Sequence, residues 1–197
     1  MVLLVFGLLL FLGMHSSRML FPTVRNIVIE NAGKLAWKGI YSLISIAGLI
    51  MIIVGYGQAR QAPVWIWYPP LWLNHATALL MLFSFVFLVA TYIPRNHIKA
   101  AVGHPMLLAV KIWAVAHLLS NPTLADSLLF GGFLLWALLL FKYCKNEDRA
   151  AMLNNSAENK PKAKLWLTLL TVITGVAGYV VFALVLHKML IGVAPFG

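Results

Sequence analysis

Five of the six histidines lie within or at the ends of long apolar stretches, where an ionisable side chain is costly. They are His15, His75, His104, His117 and His187. The sixth, His97, lies in a basic stretch, where we expect it to be solvated. A single intramembrane histidine fits a hydrogen bond between two helices, whereas five in 197 residues indicate a site.

The chemistry open to these histidines depends on the ligands that accompany them. A catalytic zinc ion takes about three close His or carboxylate ligands, but the chain has no H-E-x-x-H motif and almost no acidic residue in its apolar stretches. The one cysteine, Cys144, allows neither an internal disulfide nor a C-x-x-C motif. A haem needs only one or two axial histidines in an apolar, aromatic pocket. Haem binding, helix packing and a proton or solute path therefore remain as alternatives.

The stretch GHPMLLAVKIWAVAHLLSN (103–121) holds two of these histidines and a lysine. At ~100° per residue, His104 and His117 point about 220° apart around a helix, so they cannot bind one small metal ion together. Lys111 shares the side of His104, and Trp113 shares the side of His117. We expect the Lys111 ammonium to reach the cytoplasmic surface or to meet an anion or carbonyl groups.

The composition places these residues in a membrane protein. Hydrophobic residues make up 62% of the chain, charged residues only 10%, and the mean hydropathy is +0.90. A soluble domain of this length could not bury so much apolar surface. The formal charge of +10 suggests nucleic-acid binding, but the basic residues lie between apolar runs, as residues that orient helices in a bilayer do.

Six apolar runs are each close to the ~20 residues that span a bilayer. They lie near 2–21, 38–57, 73–93, 104–120, 123–143 and 165–188. The first run has no basic residue before it and no small-residue cleavage site after it, which favours a retained helix over a signal peptide. No repeat is visible and the connections are short. We therefore predict an all-α integral membrane protein, a single domain over 1–197 with a bundle of about six transmembrane helices.

Basic residues gather in the odd-numbered connections between these runs. The connections hold Arg18, Arg25, Lys34, Lys38, Arg95, Lys99, Lys142, Lys145, Arg149, Lys160, Lys162 and Lys164. The second and fourth connections hold only Arg60. Because cytoplasmic loops carry the excess of Lys and Arg, we predict cytoplasmic odd-numbered connections and periplasmic termini.

Two connections have distinctive compositions. Residues 145–164, KNEDRAAMLNNSAENKPKAK, are strongly polar, and we predict a flexible cytoplasmic loop without chemistry. On the periplasmic side, VWIWYPPLW (64–72) suits a membrane–water interface, and we interpret its Trp and Tyr residues as anchors.

The start of the fifth run resembles a helix N-terminus. Thr123 and Asp126 have the spacing of a capping box, and Pro122 fits a first-turn position. We therefore interpret Asp126 as a helix cap and not as a catalytic acid. On the second run, the small residues Ser45 and Gly48, with Ser42, suit close helix packing.

Depth separates the histidines further. At ~1.5 Å per residue, His15 lies ~20 Å from the outer end of the first run, in the inner half of the membrane. His104 lies at the cytoplasmic edge, and His117 lies ~20 Å higher. His75 and His187 lie near the outer face. Two histidines on facing helices would meet the needs of a haem at intermediate depth.

Several segments resemble the NnrU family of bacterial membrane proteins. They are LFLGMHSSR, LAWKGIYSLISIAGLIMIIVGYGQAR, YIPRNHIKAAVGHPMLLAVKIWAVAHLLSN, TLADSLLFGGFLLWALL and FALVLHKMLIGVAPFG, which together follow essentially the whole chain. The family is named for a link to the expression of nitrite and nitric oxide reductases in denitrifiers. The chain is also similar to zeta-carotene isomerase (Z-ISO), a haem b membrane enzyme that converts a central cis double bond of a carotenoid precursor to trans.

The resemblance implies a haem b protein of the bacterial inner (cytoplasmic) membrane. The haem-binding histidines of the isomerase lie in segments that match MHS and WAVAHLL, so they correspond to His15 and His117. Trp113 beside His117, and His104 in the shared GHP segment, are further candidates near the cofactor. The activity that the resemblance implies is redox-gated isomerisation of a lipid-soluble polyene, or a redox role without turnover.

Two other functions stay open from the sequence. The first is a non-enzymatic accessory protein that supports the expression or assembly of a membrane nitrite or nitric oxide reductase. The second is a small-anion transporter whose path is lined by Lys111 and Arg60, although no inverted repeat is visible. The sequence specifies neither a substrate nor a catalytic residue.

Overall fold

The computed structural model describes residues 1–154 and 162–195, which are mostly helical. Among these residues there is no β-strand, and one isolated antiparallel bridge joins Trp65 and Thr123. The helices are α1 (Val2–His15), α2 (Ser17–Leu20), α3 (Pro22–Gln61), α4 (Trp72–Tyr92), α5 (His97–Val102), α6 (Pro105–Ser120), α7 (Leu124–Leu153), α8 (Leu165–Val181), a π-helical turn (Phe182–Leu186) and α9 (His187–Ile191). The all-α fold is therefore confirmed.

All six predicted spans fall in helices, but their lengths differ. Within the part of the chain that the structure describes, four helices are long and apolar enough to cross a membrane: Pro22–Gln61, Trp72–Tyr92, Leu124–Leu153 and Leu165–Ile191. The first and fourth predicted spans correspond to α1 and α6, which are apolar but have only 14 and 16 residues. The chain is thus a multi-pass membrane protein, while six spans and periplasmic termini stay predictions.

Two helices extend beyond their predicted bounds. Helix α3 begins at Pro22 and continues through a break at Gly33 (φ 86°, ψ 165°), so most of the first predicted connection is helical. Helix α7 continues to Leu153, so the prediction of a loop from 145 was wrong for its first nine residues. Lys, Glu, Arg and Ala, which are frequent there, are good helix formers. Residues 155–161 of that predicted loop lie outside the described residues.

The chain divides into two compact units. Unit 1 comprises Met1–Tyr68 and Asn121–Trp136, and unit 2 comprises Pro69–Ser120 and Ala137–Gly197. Unit 1 therefore contains α1, α2, α3 and the first part of α7. Unit 2 contains α4, α5, α6, the rest of α7, and α8 onward.

In unit 1, glycines bring the backbones of α1 and α3 into contact. A Cβ atom added to Gly48 would lie 2.8 Å from the backbone nitrogen of Phe11, and one added to Gly7 would lie 2.7 Å from that of Ile52. A Cβ on Gly55 would collide with the backbone of Leu4. Small residues at such positions allow close helix packing in a bilayer.

The face of α3 that unit 1 buries follows a regular spacing. Buried positions recur every three or four residues at Ser45, Gly48, Ile52, Gly55 and Ala59. This spacing keeps one stripe of the helix turned inward, as in a coiled-coil seam. The sequence-based assignment of Ser45 and Gly48 to packing is confirmed, whereas Ser42 is exposed because it lies off this stripe.

The start of α7 is fixed by a capping box. The backbone N–H of Thr123 donates to Asp126 Oδ2 (2.9 Å), and the Asp126 N–H lies 3.3 Å from Thr123 Oγ1. Tyr56 donates its hydroxyl to Asp126 Oδ1 (2.5 Å), which ties the cap to α3. The capping role of Asp126 is confirmed. Pro122 precedes the cap instead of standing in the first turn, because its carbonyl accepts a hydrogen bond from Ile66.

In unit 2, α4 packs against α6 through polar side chains. Thr77 Oγ1 donates to the carbonyl of Ala116 (2.8 Å), and Ser84 Oγ donates to that of Ala109 (2.9 Å). Ala109 and Ala116 are almost fully buried, so the two helices approach closely. Helix α4 also contacts α8 closely, as a Cβ on Gly175 would lie 2.8 Å from Val86 Cα.

The connection between α4 and α5 is organised by one buried amide. Asn96 is 0% exposed, and its Nδ2 donates to the carbonyls of Ala90 (3.0 Å) and Ile93 (2.5 Å). Its Oδ1 accepts from the Lys99 backbone N–H (2.7 Å), which caps α5. The carbonyl of Arg95, which has φ 53°, accepts from the backbone N–H of Lys164. This short connection is therefore a fixed element of unit 2.

Candidate functional site

His15 is the last residue of α1, in unit 1. Its Nδ1 lies 2.7 Å from the carbonyl oxygen of Phe11, one turn earlier on the same helix. A carbonyl can only accept, so Nδ1 must carry the proton and the lone pair is on Nε2. The ring is thus held in one tautomer and one orientation, as is usual for histidines that bind a metal.

Aromatic rings surround His15 within unit 1. Phe11 stacks on it at 4.1 Å between ring centroids, and Tyr41 of α3 lies at 5.2 Å. Trp136 of α7 meets the imidazole edge-on at 6.3 Å, and Phe133 lies between Phe11 and Trp136, at 5.9 and 6.4 Å from them. We call these four residues the aromatic box of His15. It supplies the apolar surface that a large, flat cofactor requires.

One buried polar atom of the aromatic box has no hydrogen-bond partner among the described residues. It is the indole nitrogen Nε1 of Trp136. Buried donors are normally paired, so this N–H suits a polar ligand or water.

His117 lies near the end of α6, in unit 2. Its Nδ1 lies 2.9 Å from the carbonyl oxygen of Trp113, which repeats the arrangement at His15. The Trp113 ring lies 5.5 Å from the imidazole, so the two share one side of the helix, as their spacing predicts. The flanking Ala114 and Ala116 are fully buried.

His104 and Lys111 occupy a different site in unit 2. His104 Nε2 lies 2.9 Å from Asp148 Oδ2, and its ring meets Phe141 edge-on at 6.1 Å. Lys111 places its Nζ 3.5 Å above the same Phe141 ring. The predicted shared side of His104 and Lys111 is confirmed. The Lys111 ammonium contacts an aromatic ring of α7 there, a partner that the sequence did not predict.

The other three histidines lie elsewhere. His75 is exposed in the first turn of α4. His97 is exposed as expected, but it is also bound, since its backbone N–H and its Nδ1 both contact Thr168 Oγ1 at 2.9 and 2.8 Å. His187 follows the π-helical turn and contacts the carbonyl of Val193 through Nδ1 (2.7 Å). No described feature gives these three a ligand-binding role.

The two cations of the suggested anion path have separate surroundings. Arg60 of unit 1 lies 6.0 Å from the ring of Tyr56, and Lys111 of unit 2 contacts Phe141.

Cys144 is half-buried on α7. Within residues 1–154 and 162–195, no group of three or more His, Cys, Asp or Glu residues could hold a metal ion.

Sequence reasoning missed the aromatic residues that complete each site. Tyr41 and Trp136 lie far from His15 in sequence, and Phe141 with Asp148 lies far from His104. Only Tyr41 could have been predicted from the sequence. It precedes Ser45 by one turn, so the periodicity of α3 places it on the buried face of the helix.

The helices and their apolar surfaces define a multi-pass α-helical membrane protein with an anchored histidine in each unit. A family model described as NnrU protein matches residues 3–195, nearly the whole chain. The chain therefore belongs to the NnrU family. No curated protein and no solved structure matches it.

Proposed function

We propose that the chain is a haem b-binding membrane protein in which His15 and His117 would hold the iron. The observation that carries the proposal is the repeated Nδ1–carbonyl bond at these two histidines. Each bond makes Nδ1 the donor and fixes the ring before any metal binds. Such fixed imidazoles in apolar helices are suited to ligation.

The residues around His15 fit a haem. An iron porphyrin needs imidazole ligands and an apolar, aromatic environment, but no carboxylate ligand. The aromatic box provides this environment for His15, and Trp113 contributes to it beside His117. The unpaired indole N–H of Trp136 is available to a polar group of the cofactor or to an ordered water.

The role that follows is a redox role in the membrane. Bound haem would supply reversible one-electron chemistry. If His15 and His117 both held the iron, electron exchange would be favoured over direct binding of a substrate. The protein's part is to orient both imidazoles through the carbonyls of Phe11 and Trp113, and to exclude water with aromatic rings. A polyene substrate, a reductase partner and the inner-membrane location stay predictions of the resemblance.

The test is the absorption spectrum of the protein purified after expression with ample haem. We expect a Soret band and sharp visible bands on reduction. His15→Ala and His117→Ala should each weaken or shift these bands, because each removes an axial ligand. His97→Ala is the control, since this exposed histidine bonds only to Thr168 in the contacts described above. Absence of a Soret band, or equal spectra for all three variants, would overturn the proposal.

His187→Ala gives a second, more closely matched control. His187 also directs Nδ1 to a carbonyl, but it lies after the π-helical turn, at the end of the chain that the structure describes. If the carbonyl bond alone marked haem ligands, this variant would change the spectrum as well. We expect no change, because the carbonyl that His187 contacts lies six residues later, beyond the end of α9, whereas His15 and His117 bond to the carbonyl one turn earlier in their own helix.

A further inference from the structure

A polar cluster in unit 2 does not include His117, the candidate haem ligand of that unit. It centres on the ring of Phe141 on α7. Lys111 reaches it from α6 and His104 from the residue before α6, and Lys145 and Asp148 reach it from the next two turns of α7. We call these five residues the Phe141 cluster.

The Phe141 cluster contains more positive than negative charge. Lys111 Nζ lies 3.5 Å and Lys145 Nζ lies 5.6 Å from the centroid of the same ring. The carboxylate of Asp148 directs its hydrogen bond to His104, at 2.9 Å. Two ammonium groups therefore approach one aromatic ring, and the single carboxylate of the cluster contacts an imidazole. Cation–π contacts of this kind contribute only about 0.5–2 kcal/mol.

The position of Lys111 makes an anion favourable there. Lys111 lies about 9 Å along α6 from the first residue of the helix, at 1.5 Å per residue. An ammonium at this depth in an apolar helix is costly unless an anion or water stabilises it. The absence of a side chain at Gly103 leaves room for Lys145, because a Cβ there would lie 3.2 Å from Lys145 Nζ and 3.8 Å from Asp148 Oδ2.

An apolar surface continues from the cluster along α7. Leu138 lies one turn before Phe141 on the same face and is 47% exposed. A molecule with an anionic headgroup and an apolar tail would match this arrangement, in which a charged cluster lies next to an exposed leucine on α7. Phosphate is the anion that membrane lipids offer at the end of a transmembrane helix.

We propose that Lys111 and Lys145 bind the phosphate of an anionic phospholipid, whose acyl chain lies along α7 beside Leu138. Asp148 and His104 hold the rim of the site, and Phe141 separates the headgroup from the acyl region. The site is independent of haem. Its occupant therefore stabilises unit 2 whether or not a cofactor binds.

The test uses the full-length protein in a neutral detergent, titrated with phosphatidylglycerol or phosphatidylcholine and observed by native mass spectrometry. Wild-type protein should bind phosphatidylglycerol more tightly. Lys111→Met and Lys145→Met should each raise its apparent Kd about fivefold, since one basic residue near a lipid headgroup contributes about 1 kcal/mol. Binding of phosphatidylcholine should not change.

Lys142→Met is the matched control, because Lys142 is exposed on α7 beside Phe141 but is not part of the cluster. It should bind phosphatidylglycerol as the wild type does. Lys111→Arg keeps the charge and should also retain binding. If Lys111→Met fails to fold, Lys145→Met carries the test, since Lys145 is exposed.

Three outcomes would overturn the proposal. The first is equal wild-type affinity for the two lipids. The second is an equal loss of binding in Lys142→Met, which would indicate diffuse surface charge. The third is displacement of phosphatidylglycerol by inorganic phosphate at an equal concentration, which would assign the site to a soluble anion.

Discussion

The helix pairs that carry the two candidate haem ligands pack in different ways. In unit 1, α1 meets α3 through glycines, and the contacts are between backbone atoms. In unit 2, α6 meets α4 through the hydroxyls of Thr77 and Ser84, which donate to carbonyls of α6. His15 is the last residue of α1. His117 follows Ala116, whose carbonyl accepts the hydrogen bond from Thr77.

This difference implies unequal tolerance to mutation. Lipid gives helices no hydrophobic reason to associate, so close packing and hydrogen bonds must hold them together. A glycine contact has no space for even one added carbon, and its loss displaces a whole helix. A hydroxyl–carbonyl bond can be lost while the surrounding packing remains. We therefore expect the surroundings of His15 to be more easily disrupted than those of His117.

The largest effect should come from Gly48→Val. The added Cβ would lie 2.8 Å from the backbone nitrogen of Phe11, so α1 must move away from α3. We expect a loss of about 3 kcal/mol in the free energy of unfolding, measured by thermal or denaturant unfolding in detergent. Gly57→Val on the same helix is the control, because a Cβ on Gly57 meets nothing within 4 Å. Similar losses in both would contradict a glycine-dependent contact.

An intermediate effect should come from Tyr56→Phe, which tests the polar contact that unit 1 does contain. The change removes the hydroxyl that donates to the buried carboxylate of Asp126. A hydrogen bond to a charged group contributes about 1.5–3 kcal/mol, so unfolding should become easier by about 2 kcal/mol. Tyr92→Phe, at a side chain 72% exposed, should leave stability unchanged. An equal effect of the two variants would show that the Asp126 bond contributes nothing.

The smallest effect should come from Ser84→Ala, which removes one hydroxyl–carbonyl bond between α4 and α6. Hydrogen bonds between membrane helices average about 0.6 kcal/mol, and we expect a loss of that size in the free energy of unfolding. Thr91→Val removes a hydroxyl that bonds only within α4, to Phe87, and should have less effect. A loss for Ser84→Ala as large as that for Gly48→Val would remove the contrast between the units.

Hydropathy was sufficient to predict the helices and the membrane class. Each of the six apolar runs is helical, because apolar residues in lipid must satisfy their backbone groups within the helix. Local spacing was also sufficient for the cap, since the Thr123–Asp126 pair forms within one turn. Helical periodicity alone also predicted that Lys111 and Trp113 lie on different sides of α6. Lys111 contacts Phe141, and Trp113 lies beside His117.

Contacts between distant segments could not be read in this way. The aromatic box draws Tyr41 and Trp136 from helices whose relative position depends on tertiary packing. The helical course of residues 145–153 was missed because polar composition was read as a loop. Side chains there bond across helix turns, as Tyr143 does with Glu147 at 3.1 Å, and between helices, as Asp148 does with His104.

The buried amide of Asn96 has a practical consequence for engineering the chain. Connections between helices usually accept tags and insertions, because their backbone is solvated. Here one side chain satisfies two carbonyls before it and one N–H after it, so a residue added on either side of Asn96 would separate it from at least one of these partners. A reporter peptide placed between α4 and α5 would therefore damage the protein as a core substitution does. This connection is as short as a surface loop, but we expect it to tolerate insertions as poorly as a buried helix does.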